Sequence, residues 1–313
     1  MAKMKATRDA YGEALVELGE GNKNIVVLDA DLSKSTKTYA FRQEFPDRFV
    51  NVGVAEQNLA GVAAGLSTTG KIVFASTFAI FATGRAFEII RNSIAYPKLN
   101  VKICATHSGI TVGEDGASHQ SIEDISCMRT IPNMTVIVPS DSVETKAAIY
   151  AVSKMDGPVY VRLGRPAVPV INDETFYEFK IGKGVTLNKG NDVTIVATGS
   201  MVSKALESVK ELETKGIKAR VINIHTIKPI DKEIIIKAAE ETGAIVTVEE
   251  HSIIGGLGSA VAEVIGENCP VPLKRIGVKD IFGESGKPEE LMKKYGLTGD
   301  NIVKAVTDII KRK

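Results

Sequence analysis

The 313-residue chain has no tryptophan, only 5% aromatic residues, three cysteines and four histidines. Each shortage excludes something. Cys104, Cys127 and Cys269 are odd in number and far apart. That argues against a disulfide frame or a zinc site and fits free thiols, packed as small hydrophobes in a reducing cytoplasm. No apolar run approaches the roughly 18 residues that span a bilayer. Met1–Lys5 leads into an amphipathic helical pattern without the apolar core of a signal peptide, so a cytoplasmic protein with no membrane contact is expected. An excess of one charge is missing too. A net charge of +1 gives no electrostatic reason to expect nucleic acid or an anionic surface, and the short lysine-rich ends read as solvated tails. There is no Walker-type loop, no Gly-x-Gly-x-x-Gly after a strand, no hydrolase elbow and no helical pair of metal-binding histidines. Internal repeats and low-complexity segments are also lacking.

What remains is a globular composition, 44% hydrophobic and 25% charged, at a length suited to two domains. Short β-branched runs alternate with helical patterns. Strands are expected at Ile25–Leu28, Phe49–Val52, Ile72–Ala75, Val101–Ala105, Thr135–Val138 and Val159–Leu163. Helices are expected at Ala10–Gly19, Glu56–Leu66, Ala82–Ala95 and Ser142–Val152. The alternation pauses over 166–187, a proline-bearing stretch without a period that reads as a linker. It resumes with strands at Val193–Ala197, Ala219–Ile222, Ala244–Val248 and Leu273–Ile276. The helices there are Ser203–Lys215, Lys232–Thr242, Gly258–Ile265 and Ile302–Ile310. Strand–helix alternation implies crossover connections. The expected fold is therefore α/β with two domains, 1–165 and 188–313, each a mainly parallel sheet flanked by helices.

Open α/β sheets bind ligands beyond the carboxyl ends of their strands, which directs attention to the polar residues there. Two of the four histidines, His107 and His119, share one glycine-bearing loop after a strand. Glycines let a backbone turn and approach a ligand; histidines can move protons or bond hydroxyls and phosphates. A solvated loop with incidental histidines is the competing reading. Gly113–Gly116 lacks the alternating carboxylates of a calcium loop. Glu56 opens an apolar helix, where a carboxylate is favoured by the helix dipole alone. Phe78 and Phe81 fall three apart at a strand-to-helix turn, either as core residues or as an aromatic wall for a planar ring. Gly255-Gly256-Leu257-Gly258 opens a later helix. There a tightly packed first turn is favoured over an anion site.

Together these segments resemble the C-terminal half of the transketolases, enzymes that use thiamine diphosphate. The resemblance covers nearly the whole chain from Ala6-Thr7-Arg8 onward. It is strongest at Gly53–Asn58, Thr77–Phe81 and His107–His119, and Val248–Gly258 resembles the signature of the family's C-terminal domain. The resemblance implies a pyrimidine-binding domain followed by a transketolase C-terminal domain. It implies that Glu56 bonds the ring nitrogen N1′ of the cofactor's aminopyrimidine and favours its imino tautomer. The imino nitrogen then takes the proton from thiazolium C2, leaving the carbanion that attacks a ketose. A buried carboxyl group suits that task because burial raises its pKa. By the same resemblance, Phe78 and Phe81 line the pyrimidine pocket and Asp31 lies near the thiazolium side. Asp115 and His119 contact the donor's hydroxyls, His119 also as a proton shuttle. Arg8, Ser35, His107 and Arg165 bind the sugar phosphate, a dianion that arginine can clamp in bidentate fashion.

The family's diphosphate and its Mg²⁺ or Ca²⁺ are held by a Gly-Asp-Gly motif followed by asparagine. That motif is absent here, so no metal ligand is assigned to this chain. The resemblance implies an N-terminal partner subunit that carries the motif, with two copies of each subunit. Thr83-Gly84 stands where the family tends to place another aromatic, leaving the pocket's lining thinner. The implied activity is reversible transfer of a two-carbon ketol unit between sugar phosphates in the pentose phosphate pathway. Two relatives compete, the 1-deoxyxylulose-5-phosphate synthases and the β subunits of 2-oxoacid dehydrogenases. His107, with its spacing to Asp115 and His119, favours transketolase over both. A non-catalytic scaffold subunit that kept the fold is the alternative from another class; retention of Glu56, both phenylalanines and the loop histidines argues against it.

Overall fold

The computed structural model describes residues 3–313; Met1 and Ala2, which open the N-terminal stretch read above, lie outside them. The chain begins with strand β1 (Met4–Ala6) and helix α1 (Thr7–Gly21). Strands β2 (Ile25–Asp29), β3 (Phe49–Asn51), β4 (Ile72–Ser76), β5 (Val101–Ala105), β6 (Thr135–Ile137) and β7 (Val159–Arg162) follow. Between them lie α2 (Ser33–Thr36), α3 (Tyr39–Glu44), α4 (Glu56–Ser67), α5 (Phe87–Ile89), α6 (Asp124–Thr130) and α7 (Ser142–Ser153). The six strands β2 to β7 pair in parallel in the order β6-β7-β5-β4-β2-β3.

Every residue of β2, β5 and β7 is buried, as strands covered on both faces require. Their side chains alternate between the faces with the strand period of two. Val27, Phe74, Cys104 and Val161 pack with Tyr11, Leu15 and Phe41 on one side. Val26, Ala75 and Ile103 pack with Leu59, Ala63 and Ile90 on the other. Each large aliphatic side chain so buried contributes about 1.5–3 kcal/mol.

The remainder comprises β8 (Ala167–Pro169), β9 (Val185–Asn188), β10 (Val193–Ala197), β11 (Ala219–Asn223), β12 (Thr226–Lys228), β13 (Ile245–Ser252) and β14 (Leu273–Val278). Its helices are α8 (Met201–Thr214), α9 (Lys232–Thr242), α10 (Leu257–Asn268), α11 (Pro288–Lys294) and α12 (Gly299–Ile310). A second parallel sheet runs β14-β13-β10-β11, with β9 antiparallel at its edge. The two sheets share a core in which Met128, Ile131 and Val136 on the side of the first pack with Ile224, Ile235 and Val261 on the side of the second. Both sheets are mainly parallel and flanked by helices, the α/β architecture expected.

Details depart from expectation where elements are short. The stretch read as a linker holds β8, which pairs antiparallel with β1, and the start of β9. Asp141 pins it further by accepting from the amides of Ile171 and Asn172. Strands of three or four residues, one containing Pro169, have no room to show a period. β12 leaves the second alternation and pairs antiparallel with β6, extending the first sheet. The helix expected over Ala82–Ala95 is instead wound as π-helical turns at Phe81–Arg85 and Ile90–Ala95, on either side of α5; apolar spacing does not separate these windings. The short helices α2, α3, α6 and α11 were not read from the pattern. Among the described residues no helix is long and apolar enough to cross a membrane.

Candidate active site

The residues singled out in the sequence gather along the carboxyl edge of the first sheet. Glu56 is the first residue of α4, reached through a turn in which Gly53 takes φ of 75° and Ala55 stays outside the helical region. Its side chain is 2% exposed. Arg85 Nη1 donates to Glu56 Oε2 at 3.0 Å, and the same guanidinium lies over the Phe81 ring, 5.2 Å from its centroid. Thr77, Leu59, Ala60 and Ala82 line a small cavity beside Glu56. The Thr77 hydroxyl is buried and has no hydrogen-bond partner among the described residues. Such an orphan costs about 1–3 kcal/mol and calls for an explanation, for which a ligand is one candidate.

Phe78 and Phe81 stack with centroids 5.9 Å apart and planes inclined by 16°. The end of β4 is tied to the end of β5 to achieve this: Ala79 N donates to Thr106 O at 2.7 Å and Thr106 N to Thr77 O at 3.1 Å. Phe78 thereby meets the face of His107, centroid to centroid at 3.8 Å. His119 presents its ring edgewise to Phe81 at 5.4 Å, and its Nδ1 lies 3.0 Å from Ser118 Oγ. Four rings from two loops thus form one continuous wall. Thr83 is buried, its hydroxyl donating to Ala79 O at 2.8 Å, whereas Gly84 faces open space. Near the place where the family tends to put another aromatic, the Arg85 guanidinium covers Phe81.

His107 sits at the other end of the wall with φ of 57°, a left-handed conformation that non-glycine residues rarely adopt. Its Nε2 lies 3.4 Å from Arg8 Nη1 and its Nδ1 2.9 Å from Thr106 Oγ1. Guanidinium can only donate, so Nε2 is assigned as the acceptor and Nδ1 as the protonated nitrogen. Burial first, then the charges of Arg8 and Arg165, hold the imidazole pKa down at about 3. At neutral pH His107 is therefore an uncharged hydrogen-bonding group. Arg8 Nη1 also donates to the backbone oxygen of Ser35 at 2.9 Å, while Arg8 Nε is buried without a partner among the described residues. Burial lowers the Arg8 pKa as well. Arg165 Nη1 donates to Val112 O and lies 3.3 Å from Asp115 Oδ2.

The structure brings Arg8, Ser35 and His107 together, Ser35 through its carbonyl rather than its hydroxyl. It joins Arg165 to Asp115 and connects Phe78, Phe81, His107 and His119 through their rings. Glu56 joins that wall through Arg85. Asp31 stands apart at the end of β2, exposed, with φ of 66° and its Oδ1 accepting from Asn51 Nδ2 at 2.8 Å. Arg85 and Thr77 were missed. Arg85 follows Phe81 by four residues, but nothing local pairs it with Glu56. At α10, Glu249 accepts from the amides of Leu257 and Gly258 at 2.7 and 2.8 Å. The chain's own carboxylate thus takes the helix end that an anion would need, and burial pushes its pKa up to about 7.

A buried carboxylate, an unpaired hydroxyl and stacked aromatic rings fit an aminopyrimidine. Among the described residues no group of three His, Cys, Asp or Glu side chains is placed to hold a metal ion.

Comparison with known proteins identifies the family. Residues 3–170 match the family described as transketolase, pyrimidine binding domain, and residues 182–302 match transketolase, C-terminal domain. A Methanocaldococcus jannaschii protein provisionally described as a transketolase C-terminal section is 57% identical over 310 residues, covering 98% of this chain and 97% of that protein. A 6-deoxy-6-sulfo-D-fructose transketolase subunit from a Clostridium species is 48% identical, covering 98% and 95%. Among solved structures, a split-gene transketolase described as an inactive beta4 tetramer superposes with a TM-score of 0.92 at 59% identity, covering 98% of each chain. The chain belongs to the transketolase family, whose members use thiamine diphosphate, and it comprises the family's pyrimidine-binding and C-terminal domains.

Proposed function

We propose that this chain is the C-terminal subunit of a two-chain transketolase that transfers two-carbon ketol units reversibly between sugar phosphates. The carrying observation is the buried Glu56 carboxylate, set beside the unpaired Thr77 hydroxyl and the Phe78–Phe81 stack. Thiamine diphosphate, when bound, supplies the electron sink for breaking and forming the carbon–carbon bond. Glu56 holds the proton-sharing hydrogen bond to the aminopyrimidine, and Phe78 and Phe81 flank the ring. Arg85 Nη1 occupies Glu56 Oε2, so that contact must loosen before the oxygen can bond the ring nitrogen. His119, beside Phe81, is placed to hydrogen-bond donor hydroxyls and move a proton. Asp115 is held by Arg165 and takes part in hydroxyl recognition. Asp31 is assigned to the thiazolium side.

Arg8, His107 and Arg165 form the receptor for the sugar's anionic end. It has two cations around an uncharged imidazole, a combination that suits a phosphate and also a sulfonate. The relative named for 6-deoxy-6-sulfo-D-fructose makes a sulfonated sugar the second substrate reading. The diphosphate and its Mg²⁺ or Ca²⁺ belong to an N-terminal partner subunit, two copies of each subunit forming the enzyme. We place that enzyme in the cytoplasm, in pentose phosphate interconversion.

The test is a coupled ketol-transfer assay with thiamine diphosphate and Mg²⁺, run with and without the N-terminal partner over phosphorylated and sulfonated ketoses. Turnover only with the partner, and fastest with phosphorylated donors, is expected. Robust turnover by this chain alone would overturn the split-site reading. A preference for the sulfonated donor would replace the phosphate assignment.

A further inference from the structure

The loop carrying His107, Asp115 and His119 is shaped from the other domain. Glu250, on β13, is buried and reaches into it. Its Oε1 accepts from both the amide and the hydroxyl of Thr111, each at 2.8 Å. Its Oε2 accepts from Ser200 Oγ at 2.7 Å, just before α8. Gly109 has φ of 78°, and a Cβ there would lie 2.1 Å from Glu250 Oε1. The carboxylate therefore lies against bare loop backbone.

The loop's far end is gripped as closely. Gln120 Nε2 donates to Glu284 O at 2.9 Å and to Ile110 O at 3.1 Å. A Cβ on Gly283 would fall 1.8 Å from Gln120 Oε1, and one on Gly116 would fall 2.5 Å from Ser285 Oγ. Ile110 and Ile122 complete the fit by packing into the core of the second sheet with Val248 and Leu291. His107, two residues before Gly109, stands just outside these grips in its left-handed conformation. Strained backbone of that kind persists only where its surroundings over-determine it.

We propose that Glu250 is a positioning residue for sugar recognition, its carboxylate holding the 106–120 loop in the shape that aligns His107, Asp115 and His119. A buried carboxylate is a costly way to hold a loop unless its donors are well matched. Here three donors meet it. The C-terminal domain thus contributes to substrate recognition without touching the cofactor pocket. The inference rests on the proposed role of this loop in binding sugars.

The test compares Glu250→Ala, Glu250→Gln and Thr111→Val in the assembled enzyme. Three quantities are read: KM for a ketose phosphate, hydrogen–deuterium exchange at the cofactor's C2, which reports on Glu56, and amide exchange over 106–120 in the chain alone. Glu250→Ala should raise KM about tenfold or more, since it removes three hydrogen bonds to a charged group. It should leave C2 exchange within about twofold and expose the Thr111 amide. Glu250→Gln keeps an acceptor for Thr111 and should restore most of the KM and the protection. Thr111→Val should fall between them and add little to Glu250→Ala. An unchanged KM in Glu250→Ala would overturn the proposal, as would a parallel loss of KM and C2 exchange, which signals general disruption. If the wild-type complex transfers no ketol at all, the reading of function fails. The amide exchange of Glu250→Ala and Glu250→Gln still decides whether Glu250 shapes the loop.

Discussion

Glu56 and His107 lie at the same sheet edge, both buried, at opposite ends of one wall of rings, yet their electrostatic settings are opposite. Glu56 is matched with a cation of the other sign, the half-exposed Arg85, which can swing away. His107 is surrounded by charges that repel its own protonation, Arg8 and Arg165 foremost. The difference separates two tasks. On the proposed function, a carboxylate at one end is kept in place until a ring nitrogen replaces its partner. At the other, positive charge is gathered around a neutral imidazole, an arrangement that an incoming anion stabilises.

Each prediction tests that division. The largest effect is expected for Glu56→Ala, which should lower turnover by about 10²–10⁴-fold, the usual worth of a positioned proton-handling group. Binding of sugar phosphate, measured by calorimetry on the assembled enzyme, should persist; near-normal turnover would remove Glu56 from its role. His107→Ala should weaken phosphorylated acceptors by roughly 10–100-fold in KM through loss of a hydrogen bond in a charged receptor. An equal loss with unphosphorylated acceptors would deny it an anion role. Arg85→Met should raise the affinity of the chain alone for thiamine by about 3–10-fold, since the ring no longer competes with an ion pair of modest strength. Weaker thiamine binding would instead make Arg85 a contact of the ring.

The last prediction concerns pH. The folded-state pKa of His107 is depressed to about 3 from 6.5, so below pH 6.5 the unfolded chain binds a proton that the folded chain refuses. Stability from this site should fall as pH drops from 6.5 toward 3 and level off below. Urea titrations of His107→Asn should show a flatter decline over that window. A matching decline would mean that His107 titrates freely.

The same contrast explains what could be read from the sequence. β2, β5 and β7 were legible because they are buried on both faces and so write continuous apolar runs. Phe78 and His107 were legible because each sits just beyond such a run, and Glu56 because it opens an apolar helix. The Glu56–Arg85 pair was not, being 29 residues apart, nor was Thr111–Glu250, 139 apart. Such pairs form only when crossovers and the shared core bring distant segments together. β8 and β12 were lost for another reason: three-residue strands are specified by their partners, β1 and β6, and carry no period of their own. The neutral state of His107 was likewise hidden, because it is imposed by burial in the folded chain and by arginines that come from α1 and from the segment after β7.

The most direct measurement is exchange of the cofactor's C2 proton in the assembled enzyme, compared between Glu56→Ala and His107→Ala. The account predicts a loss of about 100-fold or more for Glu56→Ala and a change within about twofold for His107→Ala. Equal losses in the two variants would contradict the division of this edge into a proton-handling end and an anion-receiving end.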